Sequence, residues 1–549
     1  MHLTPKTEMD ERASTGADQP EAVAPLPRRW LTAHLITLGL VLILLVAAAR
    51  GQYFYYDEWD FLATRAEWNL LTPHVGHLSF FPQLLTTLTK GVFGLHSYWP
   101  YILPTIAMHL LIIHLLWRVM MRAGSQPVLA LVGAVLFGVL APGADNTLWA
   151  FQIGFITPFA MGLAAILLAM RSGFGRRDLI WITVLLVGAA GFSGTALPMA
   201  GGVILFLLVN RGWRAAVVPG LAFGLIYGSW YVLFNRAPSD WDALRADTPW
   251  ELVIGVPQFV AHGFVDSVAQ FLPLEALSAV LLVILAGWVI IDIRRTGVRH
   301  ANVAHYLLLA LLAFAVLTAI SRVGLGNASA SAPRYAYVYG LLLMAATVLA
   351  LTALTQRSRA AIGAVVAVLT VLAGYNAGGM MVAADTQRVQ EQTVPRAMSA
   401  ALSLVGCDDD EFAKSSPAGV VAPTLTMADI CSFVDRGQFD PVEYTDADLL
   451  DVRINLLVEA RHLGTEAPAA RSCSDADSGD AVPYDAESEF IYVPDETTIR
   501  LHAQSASGTH TQYARIMLPP GVSRLEGADI DEMDVRLAEA PGLCVFIAG

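Results

Sequence analysis

Eleven apolar runs between about residue 31 and residue 380 constrain this chain more than any other feature. They cover about 31–49, 98–118, 127–141, 150–170, 179–193, 196–210, 215–234, 273–292, 302–320, 335–354 and 360–378. A helix needs roughly 20 predominantly apolar residues to cross a bilayer, and the runs approach that length. In hydrocarbon every backbone N–H and C=O must be satisfied inside the element, so the runs read as membrane helices. The loops between them alternate in charge. Arg118 and Arg122 fall in one loop, Arg171, Arg176 and Arg177 in the next basic one, then Arg211 and Arg214, then Arg294, Arg295 and Arg299, and finally Arg357 and Arg359. Every second loop is basic, as loops retained in the cytoplasm are. The reading is an α-helical polytopic membrane protein of about 11 transmembrane helices, with its N-terminus inside and its C-terminus outside.

Residues 1–29 lack apolar periodicity and are expected to form a disordered cytoplasmic tail. Ala47-Ala48-Ala49 imitates a signal-peptidase site, but the long, partly acidic leader favours an uncleaved anchor. The transmembrane domain then occupies about 30–380, with outer loops at about 50–97, 235–272 and 321–334. The first is too long for a simple turn.

Charge separates a second domain at about 385–549. Residues 1–384 carry 23 Lys+Arg against 18 Asp+Glu, a balance of +5, whereas residues 385–549 carry 11 against 29, a balance of −18. A net-negative domain does not suit nucleic acid, whose phosphates require Lys and Arg. All four cysteines, Cys407, Cys431, Cys473 and Cys544, fall in this domain. An even set confined to one domain points to disulfides and an extracytoplasmic compartment. The preferred pairing is Cys407–Cys431 and Cys473–Cys544, because shorter loops close at lower entropy cost. Residues 446–463 have helical apolar spacing, and 489–494, 498–504 and 513–518 read as strands, so the domain is expected to be α+β.

No P-loop, dinucleotide glycine fingerprint or HExxH occurs, so neither ATP-driven nor nicotinamide chemistry has support. The polar residues that remain collect in the outer loops. Tyr55-Tyr56-Asp57-Glu58-Trp59-Asp60 puts three carboxylates within four positions just after the first run. Carboxylates at an apolar boundary have raised pKa values that suit a general base, although a solvated acidic turn has the same spacing. His74 and His77 follow three residues apart, in a loop that also holds Arg65 and Lys90. Adjacent acids and histidines suit a divalent cation, with Asp57, Asp60 and His77 the candidate ligands. Arg322 and Arg334 bracket a small-residue loop, and Tyr335 follows. Arginine matches phosphate geometry, and basic residues on the outer side run against the inside rule. Trp149-Ala150-Phe151-Gln152 opens another run and adds Gln152 as a polar group for substrate, while Gly194 and its neighbours read as close-packing positions.

The stretches YYDEWDFL at 55–62, PHVGHLSFFP at 73–82, LWAFQIGF at 148–155 and SRVGLG…PRY at 321–335, set in this layout, resemble the GT-C class of membrane glycosyltransferases. Within it the chain looks like bacterial relatives of the protein-mannosyltransferase type. The resemblance covers about 30–380 and implies a GT-C-like fold. It implies a polyprenyl-phosphate sugar donor, a cell-envelope glycan, lipid or protein acceptor, and transfer on the outer face of the plasma membrane by a single inverting displacement. Carried over, Asp57 or Glu58 would be the base and Arg322 and Arg334 would neutralise the departing lipid phosphate, with Asp60, Arg65, His74, His77, Gln152 and Tyr335 around the substrate. Metal use varies in the class. A transporter, flippase or envelope-assembly subunit with a similar membrane part is the competing reading; it requires polar residues along a path through the spans.

Overall fold

The computed structural model describes residues 28–64, 69–235, 248–297, 301–408, 410–464, 474–475, 482–486, 488–512, 514–527, 530–538 and 543–547. Residues 1–27 of the expected tail, Arg65 and Cys473 lie outside the described residues.

The chain is a multi-pass membrane protein. Among the described residues nine helices are long and apolar enough to cross a bilayer, or ten if one bent pair counts as a single span. Their outward faces are apolar: Leu35, Ile36, Leu40 and Ile43 of the first helix, Arg28–Ala48, are all more than half exposed, as is Val283 of Ala276–Thr296. Such surface is stable against lipid tails and not against water.

The expectation of about eleven spans is corrected in two places. Arg176–Ala190 and Ala196–Arg211, read as full spans, are only 15 and 16 residues long. Conversely, Pro249–Ala269 is an apolar helix in what was read as an outer loop. Its Pro257, His262 and Asp266 hid its periodicity. This helix packs along the turn between two spans: a Cβ on Gly255 would meet Val323, Phe259 shares a small core with Ala319 and Ala330, and Gln270 donates to the Ser331 carbonyl at 2.5 Å. A Cβ on Gly263 would meet Tyr339, so the helix packs against both spans that the turn joins.

The run at 127–141 is broken. Pro127–Gly138 and Ala141–Leu148 meet at 54°. A break inside a membrane strands backbone groups, and here side chains recover them. His109 bonds the Gly138 carbonyl through Nε2 (3.1 Å), and Asn376 Oδ1 accepts from Ala141 N (3.1 Å). The break carries the short polar helix Ala144–Leu148 to the loop that holds Asp57 (see below).

No break falls at residue 385. Helix Arg359–Glu391 runs through it, and the following helices Thr393–Leu404 and Met427–Asp435 bury Met398, Ile430 and Phe433 in the same core as the membrane helices. The expected bridge is present: Cys407–Cys431 pins this segment with a Cα–Cα distance of 5.7 Å. A helix expected over 446–463 ends at Leu457, because Glu459–Gly464 turns extended and pairs with the strand Gly521–Glu526.

The last part of the chain is an α+β domain with its own core. Its strands are β1 Glu459–Gly464, β2 Ser474–Asp475, β3 Val482–Tyr484, β4 Glu489–Val493, β5 Thr497–Gln504, β6 Arg515–Leu518, β7 Gly521–Glu526, β8 Asp534–Ala538 and β9 Cys544–Ile547. Two antiparallel sheets, ordered β1-β7-β4-β9-β2 and β3-β8-β5-β6, face each other. Ile491, Val493 and Val545 from one meet Ile499, Leu501 and Leu537 from the other, joined by Leu450 and Ile454 of helix Asp446–Leu457. The period of two along β5 buries Ile499, Leu501 and Ala503 and turns Arg500 and His502 to the opposite face.

Candidate active site

The first outer loop leaves the membrane through a strained residue. Tyr56 has φ 46° and ψ −112°, and its N–H donates to the Val421 carbonyl at 3.0 Å. A non-glycine residue at positive φ persists only where its surroundings over-determine it, and such strain concentrates at functional sites. Tyr56 launches the single-turn helix Asp57–Trp59, which continues as a π-turn over Asp60–Thr64.

The two adjacent carboxylates of that turn have different environments. Glu58 is 5% exposed and accepts three hydrogen bonds: from Tyr55 N (2.8 Å) on Oε2, and from Tyr98 Oη (2.9 Å) and Phe151 N (3.0 Å) on Oε1. It clamps the first loop to the 149–152 loop, and Tyr98 Oη in turn accepts from Ala150 N at 2.7 Å. Burial pushes the Glu58 carboxyl up to about 8, against the pull of its three donors. Asp57 is only partly buried. Burial raises its pKa too, while the charges of His74, Arg334 and Arg322 pull it down.

Those opposing charges come from separate elements. Arg322 ends helix Val303–Arg322, and Arg334 lies in the first turn of Pro333–Thr355. The tertiary structure thus brings both arginines of the 321–334 loop within electrostatic reach of Asp57. Arg334 also feels Asp145, on the helix delivered by the broken span. Tyr335 is 7% exposed and supports Arg334, whose guanidinium carbon lies 5.3 Å from the centre of its ring.

The histidines form a tight two-residue hairpin. His74 N donates to His77 O (2.9 Å) and His77 N to His74 O (2.8 Å), with Val75 and Gly76 at φ 49° and 74°. His74 Nδ1 contacts Asp60 Oδ2 at 2.8 Å, and its Nε2 is buried with no protein partner. Its ring touches Phe61 and Phe151, with centroids 5.0 and 5.3 Å away. His77 keeps exposed surface although protein atoms crowd around it, and burial, Arg322 and His74 push its pKa down to about 4. Gly194 permits this placement, since a Cβ there would stand 2.5 Å from His77 Nδ1.

Other candidates serve structure. Gln152 is 2% exposed and turned inward, its Oε1 accepting from Asn146 Nδ2 at 3.5 Å. Lys90 is buried, donating to the Leu62 carbonyl at 2.5 Å with its ammonium over the Phe433 ring. Among the described residues no three His, Cys, Asp or Glu side chains group to hold a metal ion. Asp60 is engaged by His74, so Asp57, Asp60 and His77 do not form a ligand set.

Asp145 was not among the candidate site residues. Its signal was present: Ala141-Pro142-Gly143 interrupts an apolar run just before a carboxylate, and acids at such interruptions are costly unless used. Trp149 was read as an interfacial anchor; its Nε1 donates to the Tyr55 carbonyl (3.2 Å) and its ring stacks on Phe151 at 5.3 Å, so it fixes the chain beside Asp57.

No family model matches this sequence, and no curated protein does. Among solved structures, ArnT from Cupriavidus metallidurans bound to undecaprenyl phosphate aligns at TM-score 0.46 with 15% identity, over 76% of this chain and 90% of that one. The apo state of the same protein aligns at TM-score 0.46 with 13% identity, over 79% and 92%.

Proposed function

We propose that this chain is a GT-C-class membrane glycosyltransferase that moves a sugar from a polyprenyl-phosphate donor to a cell-envelope acceptor at the outer membrane face. One observation carries the reading: Asp57, a partly buried carboxylate, lies within electrostatic reach of two arginines that begin and end the same short loop. That is the charge pattern an inverting displacement on a glycosyl phosphate needs. Asp57 takes the proton of an acceptor hydroxyl, and the hydroxyl oxygen forms a bond to the anomeric carbon. The bond from that carbon to the phosphate oxygen breaks, and its electron pair leaves with the lipid phosphate. Arg322 and Arg334 neutralise the charge that develops there, commonly the largest contribution to catalysis. The reading routes no step through a metal.

Between the two acids of the motif, the base is Asp57. Glu58 already accepts three hydrogen bonds and acts as a positioning residue. Surface chemistry is favoured over transport because Asp57, Arg322 and Arg334 lie in loops and at helix ends, where one site serves both substrates. The alternating basic loops support a cytoplasmic N-terminus and an extracytoplasmic site.

The test is purified full-length protein given radiolabelled polyprenyl-phosphate sugars and envelope lipids, scored for labelled product. Wild type should transfer label and D57N should not, with equal expression and membrane insertion. Full activity in D57N would remove the base assignment and with it this reading.

A further inference from the structure

A second cationic site stands beside the first, on the domain whose overall charge is −18. Arg500 on β5 and Arg515 on β6 are register partners in an antiparallel pair. Register partners place their side chains on the same face of the sheet. Both arginines line a cavity of about 530 Å³. The opposite wall is built by Thr386, Val389 and Gln390, in the last turns of helix Arg359–Glu391, and by Val421 and Tyr55. Val421 holds Tyr56 through its carbonyl, so the cavity ends two residues from Asp57. Arg500 is oriented by a bond from its Nη2 to the Gln512 carbonyl at 3.1 Å.

The height of this cleft identifies its occupant. Helix Arg359–Glu391 has 33 residues, which at the standard rise is about 50 Å, against a hydrocarbon core of roughly 30 Å. Counted from a basic first turn at the edge of the opposite headgroup layer, residues 386–390 stand about 40–47 Å along the helix, against roughly 40–45 Å for the bilayer with both headgroup layers, so they lie at the top of the near headgroup layer. The volume suits a headgroup, within the roughly 300–1,000 Å³ of small-ligand sites. Paired guanidinium forks match the oxygens of a phosphate.

We propose that this cleft binds the phosphate-bearing headgroup of a membrane lipid and is the acceptor subsite, delivering that lipid's hydroxyl to Asp57. The acceptor role rests on the transferase reading given above; the lipid binding does not.

The experiment uses full-length protein in dodecyl maltoside micelles, which carry no phosphate, titrated with tail-labelled phosphatidylglycerol. Wild type should bind saturably. R500Q/R515Q should weaken binding on the order of 30-fold or more, two charge-assisted contacts being lost. T386W fills the cleft from its exposed helical wall without touching either arginine, and should weaken binding similarly. R500K/R515K should recover part of the affinity, and R536Q, an exposed arginine of the same sheet, should bind like wild type. Thermal unfolding identifies any variant that has lost its fold, and T386W then decides. Binding that is equal in wild type, R500Q/R515Q and T386W overturns the proposal. Competition by inorganic phosphate or glycerol 1-phosphate at the concentrations where the lipid binds overturns the lipid as the source. D57N should bind the probe normally, so a failed base assignment leaves this site standing, and a failed lipid site leaves Asp57 standing.

Discussion

The membrane part and the sheet-bearing end of this molecule use carboxylates in opposite ways. In the C-terminal region acids are abundant and do local work. Asp429 and Asp448 each close a capping box with Thr426 and Thr445, accepting from the threonine N–H at 3.1 and 2.9 Å. Each cap is satisfied by groups within one helical turn, and Asp429 keeps part of its surface in solvent. At the membrane boundary acids are few, and they are held by elements far apart in sequence. Glu58 joins the first loop to a segment 93 residues away, and Asp57 answers to arginines beyond residue 320. A carboxylate is inexpensive in the first setting and costly in the second. Cost alone does not identify catalysis, however, because the more deeply buried of the two neighbours, Glu58, is the structural one.

The largest effect that would break this comparison is at Asp57. Substitution D57N keeps size and removes the base, and the rate of sugar transfer should fall about 10²–10⁴-fold, the usual contribution of a positioned general base. Membrane insertion and unfolding temperature should be unchanged, and a rate within a few-fold of wild type would sink the contrast.

Glu58 should behave in the reverse manner. E58A leaves Tyr55 N, Phe151 N and Tyr98 Oη without their acceptor. Stability should drop by about 3–5 kcal/mol, since each buried unpaired group costs roughly 1–3, measured as denaturant or thermal unfolding in detergent. The pH dependence has a definite sign. Folding raises this carboxyl from 4.5 to about 8, so between those values the native state binds the extra proton and stability falls as pH rises. E58Q should show a shallower slope than wild type over that range; parallel curves would show that Glu58 does not contribute to it.

Next in size is the bridge. Cys407–Cys431 closes a separation of 24 residues on the segment that packs against the membrane core. C407S/C431S should lower stability by about 3 kcal/mol if the bridge acts by restricting the unfolded chain. Thiol labelling of intact cells before and after reductant checks that the bridge exists in the protein as made. The smallest effect belongs to the soluble carboxylates. D429A should cost about 1 kcal/mol, the value of a helix cap, with transfer unaffected. A loss as large as that of E58A would erase the distinction between the two regions.

How far each region was legible follows from the same physics. Apolar runs and basic loops report a membrane directly, because the bilayer acts on each segment separately. Strands β4, β5 and β6 were legible from alternation, as were the acidic first loop and the arginine loop. Pro249–Ala269 was not, since its polar residues mask its period, and helix Asp446–Leu457 was read too long because its end is set by strand pairing rather than by a local stop. The division of labour between Asp57 and Glu58 has no local signature at all. Two adjacent acids look alike in sequence, and only the partners that the fold brings from Tyr98, Phe151, Arg322 and Arg334 distinguish them. The sequence by itself determined that this chain crosses a membrane many times, where its polar groups collect, and that its end is an acidic α+β domain. Tertiary structure alone decided which carboxylate faces the arginines, that a broken span delivers Asp145, and that Arg500 and Arg515 stand beside Tyr55. Hydropathy acts over a single segment, whereas the environment of a charge depends on groups hundreds of residues away.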